Sequence, residues 1–344
     1  MTSPSPPAKR PRTVDTSDED TEPQRDESFW FEDGNIVVIA QQTAFRVHRG
    51  VLSRHSETFS GLFTLPRPAG GAYEEVIDTC PVVRVTDSPH DFKHLLHALY
   101  DGLGYMESVA EVEKYSMCAS LARLGHKYEL SSVFSAAMQR LRVIYTDDYE
   151  VWRTFWTTGG RSAKSLRNLY IPIEVANLFR TTEQRNLLPT VLFLCCLLPI
   201  TDLLDGVRRA DGTLEQLSRE DLRRCLEARD TYHLKLAHFW AQPWRGQPNS
   251  PPRCIEWDRC ARFIDTTRSF ALDKPLRAPR NVFAATMTSD LLAKDARHAA
   301  RICEACADRI ADEARKLFEA QWDALPETMD LTDVVIDWRS AVSP

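Results

Sequence analysis

The chain has 344 residues, enough for about two domains at roughly 100–200 residues each. Its 43 Lys and Arg against 49 Asp and Glu leave a net charge of −6, which argues against a protein built mainly to grip nucleic acid through a basic face. Only 13 glycines are present, well below the ~7% of average usage, so glycine-rich phosphate loops and tightly turned all-β barrels fit poorly.

Residues 1–27 carry five prolines and almost no large apolar side chains, a composition that predicts a disordered tail. Within it Lys9, Arg10 and Arg12 form a short basic run, a candidate nuclear import signal. Residues 36–40 are a continuous apolar run, suited to a strand buried on both faces. Gln41-Gln42-Thr43 turns the chain, and Phe45 and Val47 alternate with Arg46 and His48, which predicts a hairpin. Val51, Leu52, Phe59, Leu62 and Phe63 fit short helices, and Val83 and Val85 flank Arg84 in a further strand. Ser88-Pro89 then opens a helix with Phe92, Leu95, Leu96 and Leu99 on one face. Two more helices are expected, near residues 109–124 and 130–144. The order is strands first, then helices, which describes a small sheet packed on a helical cluster.

The stretch Phe45-Arg46-Val47-His48-Arg49-Gly50-Val51-Leu52-Ser53-Arg54-His55-Ser56, with Phe59 and Phe63 beyond it, resembles the signature of BTB/POZ domains. Leu99-Tyr100-Asp101-Gly102 resembles the end of that family's third helix, and Lys127-Tyr128 the start of its last one. Phe29-Trp30-Phe31-Glu32-Asp33-Gly34-Asn35-Ile36-Val37 resembles a fungal, mushroom-type group of members. The resemblance covers residues 28–145. It implies a protein–protein interaction module that commonly self-associates and in some members links a cullin ubiquitin ligase to a partner. His48 is read as structural, anchoring the strand-to-helix junction through backbone groups. In transcription-repressor members an acid and the Arg after the signature His line a charged pocket. Here Arg49 is present, but Asn35 stands where the acid is usual.

Residues 146–344 show no strand-like alternation, and an all-α region is expected. The longest apolar run, residues 187–200, is interrupted by Pro189 and Pro199. It falls short of the ~20 residues a bilayer requires and is read as a buried helix. Ser218 and Asp221 form a capping pattern ahead of Leu222. A loop is expected at 242–252, a helical face at Trp257, Cys260, Ala261 and Ile264, and a long helix from near Thr288 to about Ala324. Segments 186–190, 217–221 and 322–326 resemble the helical partner region of the same fungal group.

Nine cysteines, an odd number, with no charged-then-apolar leader, predict a reducing intracellular compartment, nucleus or cytoplasm, and no disulfide framework. Cys254, Cys260, Cys303 and Cys306 supply the four thiols a closed zinc site uses, with His298 nearby in sequence. Against zinc, Leu292, Ala296, Ala299, Cys303, Cys306 and Ile310 recur at helical spacing, which sets the Cys pair on a seam that a long helix buries anyway. Five residues separate Cys254 from Cys260, more than the usual two to four. These thiols are therefore read as core side chains, with no metal and no cofactor.

No phosphate loop ending in Lys-Ser/Thr, no GxSxG and no HExxH occurs, and Gly102-x-Gly104 lacks the third glycine of a dinucleotide fingerprint. The reading is an α+β, non-enzymatic chain with a tail at 1–27, a BTB/POZ domain at 28–145 and a helical domain at 146–344. It acts as a scaffold or adaptor on protein partners, with a homodimer and a cullin among the expected assemblies and no direct nucleic-acid or membrane partner. The alternatives are a nuclear transcription-linked regulator and a zinc-stabilised helical domain. Phe29, Trp30 and Phe31 are expected to contribute to self-association, because exposed aromatics in a row usually mark a partner site; the competing reading folds them back onto their own domain. Arg49 is the remaining candidate interaction residue.

Overall fold

In the computed structural model, residues 22–64, 75–158, 171–241, 254–273 and 302–338 are described. Ile36–Ala40 (β2) is apolar at every position and buried at every position, so it takes the centre of a five-stranded sheet. β1 (Gln24–Trp30) lies at one edge, parallel to β3 (Thr43–Val47). β2 and β3 form the expected antiparallel hairpin, with Ile36 opposite Val47 and Ala40 opposite Thr43. After α1 (Arg49–His55) and α2 (Glu57–Thr64), β4 (Val76–Ile77) closes the other edge and β5 (Cys80–Val85) runs parallel to β2. Alternation along β2 sends Ile36, Val38 and Ala40 into the main core and Val37 and Ile39 to the opposite face, as a period of two requires.

β1 begins at Gln24, inside the segment whose composition predicts a disordered tail. Its charged residues are stabilised by specific partners that composition does not reveal: Arg25 pairs with Asp78 at 3.0 Å and Asp26 with Lys93 at 2.9 Å. Lys9, Arg10 and Arg12 lie outside the described residues.

The helices follow as α3 (Pro89–Tyr100), α4 (Tyr105–Ser108), α5 (Lys114–Lys127) and α6 (Ser131–Leu141). Ser88 caps α3 by accepting from the Asp91 N–H at 3.1 Å, and Phe92, Leu95 and Leu96 are fully buried. The helix expected from residue 109 starts later, at Lys114, because Val109 is extended and Val112 is 60% exposed. α5 and α6 pack closely at Gly125, where a Cβ would come within 2.8 Å of the Phe134 nitrogen.

Beyond residue 146 the only strands among the described residues form a two-residue ladder, β6 (Val207–Arg208) with β7 (Leu214–Glu215), and the remaining elements are helices. The helices are α7 (Tyr149–Thr158), α8 (Pro172–Thr181), α9 (Leu188–Cys196), α10 (Ile200–Asp205), α11 (Arg219–Ala241), α12 (Trp257–Asp273), α13 (Glu304–Asp323) and α14 (Leu325–Thr328). Every residue of α9 is buried, the outcome its apolar run predicts, with Pro189 accommodated in the first turn. Ser218 accepts from the Asp221 N–H at 3.1 Å and caps α11 as its spacing predicts. α7 carries Trp152, fully buried, with its ring stacked on Phe318 at 4.6 Å and 5.0 Å from that of Trp322. The loop at 242–252 and His298 lie outside the described residues.

One hydrophobic core runs from Phe29 to Leu331. Tyr145 meets Phe179 edge-on at 5.7 Å, and Arg123 of α5 reaches Glu174 of α8 at 2.6 Å. A boundary at 145/146 therefore marks a change of sequence pattern and not a break in packing. Among the described residues no helix is long and apolar enough to cross a membrane.

Candidate interaction surface and thiol cluster

The strand-to-helix junction is built on the Tyr100 hydroxyl. The His48 backbone N–H donates to it at 2.9 Å, and His48 Nδ1 lies 3.0 Å from it. His48 Nε2 is 3.2 Å from the Asp33 carboxylate. The anchoring role expected of His48 is present, but its ring partners are a phenol and a carboxylate, where backbone groups were expected. Burial, opposed by the His48 N–H, raises the Tyr100 phenol above its ordinary value, so it stays protonated as a neutral hub. Ser56 performs the second junction. Its Oγ donates to the Tyr128 carbonyl at 2.6 Å and accepts from the Phe59 N–H at 3.0 Å, capping α2 while tying it to the end of α5. Phe59 stacks on the Tyr128 ring at 4.1 Å. Residues 45–56, 99–102 and 127–128, separate in sequence, thus meet at two hydrogen-bonded joints.

The aromatic triplet is placed mainly inward. Phe29 is 3% exposed and meets His97 edge-on at 4.7 Å. Phe31 stacks on Tyr100 at 5.0 Å. Trp30 points to the opposite sheet face, against Val37, Ile39 and Val82, with the Arg25 guanidinium 4.5 Å above its ring. β1 is held in its own sheet, so alternation spends Phe29 on the chain's own core, as the competing fold-back reading expects for one or two of the three. Arg49 is exposed. Its backbone N–H donates to Asn35 Oδ1 at 2.8 Å, while its guanidinium lies 5.7 Å from the Phe63 ring. Asn35 therefore caps backbone and forms no charged pair with Arg49.

A groove of about 700 Å³ opens between α2, the end of β5 and the end of α5. It is lined by Thr58, Gly61 and Leu62 of α2, Val85 of β5, and Lys127 and Tyr128 at the end of α5. No periodicity argument finds it, because its walls come from three separate elements.

An ion network joins the two halves of the chain. Asp91 accepts from Ser120 at 2.6 Å and pairs with Arg123, and Arg209 lies 3.5 Å away. Arg123 also holds Glu174, 2% exposed. Burial alone would raise the Asp91 carboxyl; His90, Arg123, Ser120 and Arg209 outweigh it and hold Asp91 well below the usual carboxylate range. Burial pushes Glu174 up to about 7, because Arg123, its nearest cation, is divided between two carboxylates. The pairing raises Arg123 above its ordinary value despite burial, so the guanidinium stays charged while Glu174 carries the desolvation cost.

The continuous helix expected from Thr288 is broken: residues 302 and 303 are non-helical, and α13 starts at Glu304 with Cys303 as its N-cap. Cys303 and Cys306 therefore sit at a helix start and not along a mid-helix seam. With Cys254 and Cys260 they bring four sulfurs within 4.8 Å of one another.

Residues 25–147 match the family model described as BTB/POZ domain. No curated protein and no solved structure matches the chain. The match spans the sheet, both junctions and the groove, and ends just past the buried Tyr145, so residues 25–147 are a BTB/POZ domain, a protein–protein interaction module.

Proposed function

We propose that the chain is a non-enzymatic scaffold or adaptor whose BTB domain self-associates and takes a protein partner, with linkage of a cullin ubiquitin ligase as the adaptor form. The observation that carries this reading is the BTB match over residues 25–147. The groove beside α2 supports it, since a concave wall of mixed apolar and hydroxyl side chains suits a partner segment. The helical region is tied to the domain through Arg123, Glu174 and Arg209, none of which lines the groove.

The test uses the full chain as bait, because its two halves share one core. Gly61→Arg is the informative variant: a Cβ there meets nothing within 4 Å, so the change fills the groove without disturbing the fold. Partners recovered with wild type and lost with Gly61→Arg, a cullin among them, support the adaptor reading. An identical partner set from both baits overturns the groove as the docking surface.

A further inference from the structure

We infer that Cys254, Cys260, Cys303 and Cys306 form a tetrahedral zinc site that staples the start of α12 to the start of α13. The four Sγ atoms lie within 4.8 Å of one another, with Cys303 and Cys254 3.7 Å apart. Four thiolates around zinc at about 2.3 Å stand about 3.8 Å apart along each tetrahedral edge. A disulfide would need about 2.05 Å, and all four thiols are free.

The local geometry is that of ligands rather than of packing thiols. Both pairs sit at helix starts: Cys254 three residues ahead of α12 and Cys260 its fourth residue, Cys303 the N-cap of α13 and Cys306 in its first turn. First-turn N–H groups lack intrahelical acceptors, and the helix dipole favours negative charge there. The Cys303 backbone N–H donates to Cys260 Sγ at 3.3 Å, the kind of outer contact that holds a metal-bound thiolate in place. The unusual five-residue gap between Cys254 and Cys260 is spanned by the turn that enters α12, so spacing alone does not exclude the site.

The packing argument points the same way. The buried members of this cluster are Cys260, Ile264, Ile302, Cys303, Cys306 and Ala307, separate from the main core. Half of that set is thiol, and only two members are large aliphatic side chains. It must join segments whose ligands lie 43 residues apart. Small cores of this kind are characteristically held by a metal or a crosslink. Cys254, only partly buried, gives the ion a route in.

The experiment is metal analysis of the full chain, purified under reductant without chelator. One zinc per chain is expected, retained in Cys80→Ser and lost in both Cys260→Ser and Cys303→Ser. Cobalt(II) in place of zinc should show the visible bands of a tetrahedral tetrathiolate. Wild-type protein without zinc, iron in its place, or zinc retained by both ligand variants would overturn the assignment. The wild-type measurement decides even if a ligand variant fails to fold.

Discussion

Replacing Glu174 with Gln isolates the cost of the buried ion network. The amide keeps the shape and the acceptor toward Arg123 but cannot ionise. In the wild type, burial raises the carboxyl from 4.5 to about 7, so between those values the folded state binds more protons than the unfolded one. Stability from this group then falls as pH rises through the window and is flat above it. A displacement from 4.5 to about 7 corresponds to on the order of 3 kcal/mol. His94, lowered to about 4 by burial and by His90, titrates over an overlapping range with the opposite sign. Its stabilisation is complete above its unfolded value and lost as pH falls. The wild-type curve alone therefore mixes two slopes, and the difference between wild type and Glu174→Gln isolates one. Urea unfolding of both chains from pH 4.5 to 8 should show the variant gaining about 3 kcal/mol on the wild type across the window. A difference that stays constant with pH would refute the reasoning, showing that Arg123 neutralises Glu174 fully.

Ser56→Ala removes the α2 cap and leaves the Tyr128 carbonyl without its donor; a loss of about 2 kcal/mol is expected, read as a lower urea midpoint with unchanged slope. Trp152→Ala should cost about 3–5 kcal/mol, because Phe318, Trp322 and Phe193 all pack on that ring; thermal unfolding checks it.

The elements legible in the sequence were those governed by local rules. Residues 36–40 read as a doubly buried strand because every position is apolar. Ser88-Pro89 and Ser218 read as helix starts because the cap and its target lie three residues apart. β1 was hidden because its partners, Asp78 and Lys93, are distant in sequence and its composition matches the tail before it. The four thiols were visible as a candidate set, but the choice between ligands and core was not: Cys303 and Cys306 satisfy helical spacing whether or not the helix extends ahead of them. Only the break at residues 302–303 separates a seam from a ligand pair. The motif residues of the BTB resemblance were visible, but their work was not, since the joints at Tyr100 and Ser56 link residues about 50 and 70 positions apart.

Self-association is tested most directly by the mass of the full chain in solution. Sedimentation equilibrium at tens of micromolar, under reductant with zinc present, reads self-association with a Kd in that range, an affinity of roughly 6 kcal/mol. The wild-type chain is expected to be a dimer. A monomer at every concentration would contradict self-association through the BTB domain.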